Sequence, residues 1–199
     1  MNAVPPPVDT RPRVEGDREL EILSSALEVM ADVGYDRLTM DAVATRAKAS
    51  KATLYRRWKT KADLVIEAII ATKGPTVVPD NGNLRDDLLD MFCGLGGMTD
   101  SKSVNLLGSL ITAINRDEEF AAAYRRDFVG PKIQASRTVY ARAQERGEIR
   151  ADLDVDLIAA ALPGIVLHRV YIHGEVPTRE LVATVIDQII LPASRPVSA

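Results

Sequence analysis

Eight basic side chains fall between Arg37 and Lys61: Arg37, Arg46, Lys48, Lys51, Arg56, Arg57, Lys59 and Lys61. Asp41 is the single acid among them, so this stretch carries +7 in a chain whose formal charge is −3. A dense cationic block on an acidic body is the electrostatic footprint of a place where a polyanion docks. Ser50, Ala52, Thr53 and Tyr55 are interleaved with the cations. They add donors for phosphate and a methyl that can lie against a base edge.

No other chemistry has comparable support. His168 and His173 are five apart and do not share a helix face, and neither Asp156 nor Glu175 is an evident co-ligand, so no metal site is expected. The single cysteine, Cys93, excludes an intramolecular disulfide and a cysteine-based zinc site, and suits a reducing compartment. The run Cys93 to Gly97 resembles a glycine-rich phosphate loop only loosely. It follows a helical pattern and lacks the Lys-Ser/Thr ending, so it reads as a helix stop. With no nucleophile elbow and no clustered carboxylates, no enzyme activity and no cofactor are expected.

The elements that must position the basic block are helices. Leu20, Leu23, Leu27, Met30 and Val33 recur at three and four, and Gly34 stands where that helix would stop. Thr39, Ser50 and Thr60 are N-caps of three further helices, with Asp63 completing a capping box at Thr60. Val43, Ala44 and Ala47 face inward from one, and Leu54 and Trp58 from the next. Gly74, Pro75, Pro79, Asn81 and Gly82 mark a break. Helical periodicity resumes over 84–97, 103–115 and 118–146, with a kink or break at Gly130-Pro131, and again over 155–173 and 178–191. The 155–173 segment is apolar nearly throughout, which predicts burial on several sides. No stretch alternates as a strand does, so the class is all-α.

Two short helices joined by a tight turn, with a third bracing them, form the geometry that sets a recognition helix end-first in the major groove. At this point the segment resembles the TetR family of bacterial transcriptional regulators. The resemblance runs through Thr39, Val43, Ala44, Ala47, Ser50, Thr53, Leu54, Tyr55, Trp58, Lys61 and Leu64. Lys48 departs from it, standing where the family has a turn glycine, and Ala49 replaces the usual valine. A non-glycine residue in the left-handed region costs roughly 1–2 kcal/mol. The resemblance implies phosphate contacts at Tyr55 and Lys61, and at Arg57, where the family often has histidine. Lys51, Ala52 and Arg56 are the candidates for base edges, with Thr53 able to serve either role. Thr39 and Ser50 add helix ends whose free N–H groups suit phosphate. Arg11 and Arg13 could reach the minor groove from the N-terminal arm.

The expected organisation is a flexible arm over 1–16, a helix-turn-helix domain with the start of a linking helix over 17–73, a larger helical domain over 74–192, and a flexible tail over 193–199, about nine helices in all. By resemblance the second domain senses a small molecule and pairs the chain with a second copy. Phe92, Leu107, Ile111, Tyr124, Phe128, Tyr140, His168 and Tyr171 are the candidates to line its pocket. Leu162, Ile165, Val182, Val185, Ile186 and Ile189 are the candidates for the pairing face. The implied function is that of a homodimeric repressor, released from a palindromic duplex-DNA operator by a small-molecule effector. The alternative is a helical protein-interaction module that keeps the fold without ligand-controlled DNA binding. The N-terminus lacks a signal-peptide apolar core, and the run Leu157 to Leu167 is short and holds Pro163 and Gly164. A soluble, cytoplasmic protein with no membrane partner is therefore expected.

Overall fold

The computed structural model describes residues 15–94, 97–99 and 101–196, and their side chains except at 15, 101–107 and 109. Arg11, Arg13, the arm up to residue 14, the Leu107 side chain and the tail over 197–199 lie outside the described residues. What is described is helical: α1 (Glu15–Val33), α2 (Met40–Arg46), α3 (Lys51–Arg57), α4 (Lys61–Lys73), α5 (Leu84–Cys93), α6 (Ser101–Arg116), α7 (Glu118–Tyr124), α8 (Gly130–Glu145), α9 (Val155–His173), α10 (Arg179–Val185) and α11 (Leu191–Ser194). α7 runs into α8, and α10 into α11, through a π-helical turn, so these form nine helical rods among the described residues.

The start signals in the sequence act as caps. Thr39 accepts from the Ala42 N–H at 3.2 Å, and Ser50 from the Thr53 N–H at 3.1 Å. Thr60 and Asp63 exchange bonds in a complete capping box. Asn83, Asp117, Asp154 and Thr178 do the same work for α5, α7, α9 and α10. Each satisfies an N–H that the first turn leaves without a partner.

The two π turns share a cause. Proline removes a helical donor and crowds the carbonyl four residues back. At Pro131 the helix widens over Arg125–Val129, and the Gly130 N–H reaches back to the Arg125 carbonyl. At Pro192 it widens over Ile186–Ile190, with the Leu191 N–H on the Ile186 carbonyl. The helix thus continues through Gly130-Pro131 instead of breaking there. It also continues past Pro192, where a loose tail was expected from 193. Ser194 is fully buried, and its carbonyl accepts from the Arg150 N–H at 2.9 Å.

Two apolar clusters hold the chain together. The first packs α1 to α4 around Met30, Leu54, Trp58, Leu64 and Ile69, and takes in Leu110 and Ala113 of α6 with Phe120 and Tyr124 of α7. The second gathers α5, α8, α9 and the α10–α11 rod around Leu84, Leu88, Tyr140, Leu162, Val166 and Ile186. A division at residue 74 therefore falls between helices but not between cores, because α6 and α7 complete the first one. Two expectations need correction. Leu20 is exposed, and the buried stripe of α1 is Ile22, Leu23, Ala26, Val29 and Met30. α9, expected to be covered on several sides, buries only Leu162, Val166 and Val170. Its 19 residues are long and apolar enough to cross a membrane by length and composition alone.

Lys48 is the one non-glycine residue with positive φ among those described, at 51°. It closes α2 in a reversed turn: its N–H bonds the Thr45 carbonyl at 3.2 Å, and the Ala49 N–H bonds that of Ala44 at 2.9 Å. Lys48→Gly should stabilise the fold by about 1 kcal/mol, because glycine carries no Cβ penalty there. Thermal unfolding should shift up by about 2–4 °C. An unchanged midpoint would mean that the turn carries no strain.

Candidate nucleic-acid interface

α3 is held by its inner side. Leu54 is fully buried, Trp58 is nearly so, and Val43 and Ala44 of α2 pack behind them. This leaves Lys51, Ala52, Tyr55 and Arg56 exposed along the outer side, with Thr53 half-buried and Lys48 and Lys59 at the two ends. Tyr55 is 53% exposed although it is a large aromatic, so its ring and hydroxyl are available to a partner. Among the described residues no acid pairs with Lys48, Arg56 or Lys59.

The α2–α3 turn is clamped from outside the motif. Arg18 of α1 donates to the Ala47 carbonyl at 2.8 Å and to that of Lys48 at 2.7 Å. These are the carbonyls of the α2 C-cap and of the turn residue that follows it. Arg18 lies some thirty residues from the turn, so local reading could not find it. The only sequence signal is a basic residue near the start of an otherwise acidic helix.

Several of the eight cations already have partners. Arg46 pairs with Glu28 and Asp32 of α1, and Lys51 with Asp41 of α2. The Asp41 hydrogen bond raises the Lys51 amine above its usual value. Arg57 donates to Glu19 at 3.0 Å and to Glu67 at 2.9 Å, and Glu67 also accepts from the Trp58 indole N–H at 2.7 Å. The hydrogen bond from Arg57 holds the Glu19 carboxyl below its ordinary range. Lys61 donates to the Tyr35 carbonyl at 3.1 Å and lies 4.2 Å from the centre of that ring. Arg57 and Lys61, expected at phosphates, thus tie α1, α3 and α4 together. Their charges remain near the face.

Tyr35 continues the path into the rest of the molecule. Its hydroxyl bonds the Asp117 carboxylate at 3.2 Å, and Arg116 pairs with Asp36 at 2.9 Å. Its ring lies 4.4 Å from that of Phe120, which stacks on Tyr124, which stacks on Phe128. Burial pushes the Tyr124 hydroxyl up to about 12.

The pocket candidates do not meet in one place. Tyr124 and Phe128 belong to the first core, while Phe92 and Tyr140 belong to the second. Ile111 and His168 are exposed, whereas Tyr171, 37% exposed, packs beside Gly108 of α6 and near Tyr124. His168 and His173 do come together, with ring centres 5.1 Å apart near the end of α9. Four of the six pairing candidates, Leu162, Val182, Val185 and Ile186, lie inside the chain's own second core, so they cannot face a partner. Ile189 is exposed and Ile165 half-buried. The exposed apolar groups on this side are instead Leu157 at 71% and Ile172 at 70%, with Ala160 and Gly164 between them on α9.

Two family patterns match the chain. "Bacterial regulatory proteins, tetR family" covers residues 22–68, and "Tetracyclin repressor-like, C-terminal domain" covers residues 78–189. An uncharacterized HTH-type transcriptional regulator of Mycobacterium tuberculosis is 36% identical, over 92% of this chain and 91% of its own. A Mycobacteroides abscessus protein named DNA-binding transcriptional repressor TetR is 34% identical, over 90% of this chain and 95% of its own. The crystal structure of the TetR family transcription regulator SCO0332 matches with a TM-score of 0.65 at 28% identity, over 90% of this chain and 100% of its own.

Removing Glu67 orphans the Trp58 indole N–H and one side of Arg57. Glu67→Ala should cost about 1–3 kcal/mol, and Glu67→Gln, which keeps an acceptor, should cost less. Denaturant midpoints measure both. Equal losses would mean that charge, and not the indole bond, holds α3 to α4.

Proposed function

The chain belongs to the TetR family of bacterial DNA-binding transcriptional regulators, and we propose that it is a homodimeric repressor released from a palindromic operator by a small molecule held in its C-terminal domain. The observation that carries the DNA reading is the outer side of α3, where Tyr55 and unpaired Arg56 stand exposed on a helix braced from behind. Lys51, Ala52 and Arg56 take the base edges. Tyr55, Lys48, Lys59 and the N-terminal ends of α2 and α3, capped by Thr39 and Ser50, take phosphates. The repressor role follows the Mycobacteroides abscessus relative's name, and the place of action is the cytoplasm, with the DNA.

Pairing rests on α9. Leu157, Ala160, Gly164, His168 and Ile172 run along one exposed side of it, and Ile189 of the neighbouring rod is 46% exposed. Apolar surface of this extent marks an association site. A second copy meets it with the same surface about a two-fold axis, and that axis places two α3 helices on one duplex. Release by a ligand requires a second state in which their spacing is wrong, and the ligand's preference between states sets how far the equilibrium moves. The joint of Tyr35, Asp117, Asp36 and Arg116 couples the two ends.

Three cations per protomer are unpaired on the face among the described residues: Lys48, Arg56 and Lys59. With Arg56 on a base edge, Lys48 and Lys59 of each protomer face phosphates, so operator binding should fall with salt at a log–log slope of about −4 for the dimer, at roughly 0.9 per phosphate. Tyr55→Phe should weaken all sequences alike, while Lys51→Ala should relax preference at one base position. Gel shifts on operator variants read both, and a flat salt response would instead favour the protein-interaction module. Leu157→Glu combined with Ile172→Glu should give monomers by sedimentation and lose operator binding. A dimer that survives both charges would place the pairing face elsewhere.

A further inference from the structure

α8 presents three polar heads one turn apart: Lys132, Ser136 and Tyr140. Ser136 is 8% exposed and Tyr140 fully buried, and neither hydroxyl has a hydrogen-bond partner. Unsatisfied buried hydroxyls are uncommon in folded proteins, and two successive ones on one helix face call for an explanation. Their surroundings supply none. α8 packs there against α5 and α9, in the cluster of Leu84, Leu88, Leu162 and Val166. Lys132 is half-buried, and burial lowers its amine's pKa. No acid pairs with it among the described residues, and its ammonium meets only the Phe128 ring, 5.0 Å from the centre. A desolvated cation without an anion is costly until one arrives.

The three heads have a polarity along the helix. A rise of four residues is about 6 Å, so the row spans roughly 12 Å from the cation to the phenol. Its near end selects a negative group, its far end a neutral hydrogen-bonding group, and the apolar side chains packed with Tyr140 select an apolar body. We infer that the Lys132–Ser136–Tyr140 row binds a small amphipathic monoanion, with its anionic head at Lys132 and a hydroxyl or carbonyl at Tyr140. The inference rests on the reading of the C-terminal domain as a sensor, and it names the class of molecule sensed. The π turn at Arg125–Val129 lies just before the row. Such turns are frequent at functional sites, and this one carries Phe128, the last ring of the stack from Tyr35. Occupancy at Lys132 thus acts beside the rings that reach the DNA-binding end.

Calorimetric titration of the full chain with 10-hydroxydecanoate, decanoate and 1,10-decanediol tests the three requirements separately. The wild type should bind 10-hydroxydecanoate at least tenfold more tightly than the diol, which lacks the anion, and more tightly than decanoate, which lacks the far hydroxyl. Lys132→Met should erase the first preference. Tyr140→Phe should erase the second, keep the first, and leave the melting temperature unchanged or raised, since it removes a hydroxyl without a partner. Equal binding of acid and diol, no binding of either, or a preference that survives Lys132→Met would overturn the inference. A melting temperature lowered by several degrees in Tyr140→Phe would give that hydroxyl a structural role and overturn its part. Gel shifts on the same preparations separate the two readings. Operator binding without ligand preference sinks only this inference, whereas loss of DNA binding by the wild type sinks the regulator.

Discussion

The structure depends on how Tyr35 is used. It sits in the short turn between α1 and α2, 3% exposed, and each part of it faces a different element. Its carbonyl takes the Lys61 ammonium at the start of α4, its ring packs on Phe120 of α7, and its hydroxyl reaches Asp117 at the α7 cap. Burial and the neighbouring Asp117 raise the phenol well above its ordinary value, so it stays a neutral donor. Burying an aromatic of this size with its polar end satisfied fixes orientation as well as area. The helix-turn-helix therefore does not hang from α4 alone. It is pinned at a second point to α6 and α7, and a movement of α7 must carry the turn before α2 with it or break the Asp117 bond.

That second attachment matters because α9 is so sparsely covered. A helix of mean apolar character whose outer side faces water is not a stable surface by itself. In the proposed dimer a second copy covers it, and the spacing of two α3 helices would become a property of the whole body, from α9 through the second core to α7 and Tyr35. On that proposal, local changes at α8 would reach the DNA through packed side chains, with no need for a loop to rearrange. The π turn between α7 and α8 is the place on that route where the helix departs from α geometry.

Much of this was legible in the sequence. Thr39, Ser50 and Thr60 are caps, Lys48 is the strained residue, and α9 has the bounds that its apolar run predicts, because each of these is decided within a few residues. What escaped is what distance along the chain hides. Arg18 clamps carbonyls about thirty positions away, and Glu67 collects Arg57 and Trp58 from another helix. Periodicity tells which side of a helix is apolar but not which core it enters, so Tyr124 and Tyr140, grouped together in sequence reasoning, fall in different cores. Leu162, Val182, Val185 and Ile186 failed as pairing residues for the same reason. An apolar stripe is spent first on the chain's own core, and what remains for a partner is the less conspicuous side.

The cationic block also changes meaning. Its +7 is a formal sum, yet Arg46, Lys51 and Arg57 are each closed by acids of α1, α2 or α4. Exposed pairs of this kind contribute little to stability and are readily exchanged. For Lys51 the consequence is specific. To reach a base edge it must leave Asp41, and the departing carboxylate is then left facing a polyanion. A guanine in the right place returns two hydrogen bonds for the one lost, whereas a random sequence returns only a phosphate's attraction, reduced by the Asp41 charge. With Lys51 in the proposed reading role, its internal pairing would lower affinity for all DNA, and most where no base replaces the acid. If Lys51 reads a base as proposed, Asp41 would favour the cognate site at the expense of tight nonspecific binding.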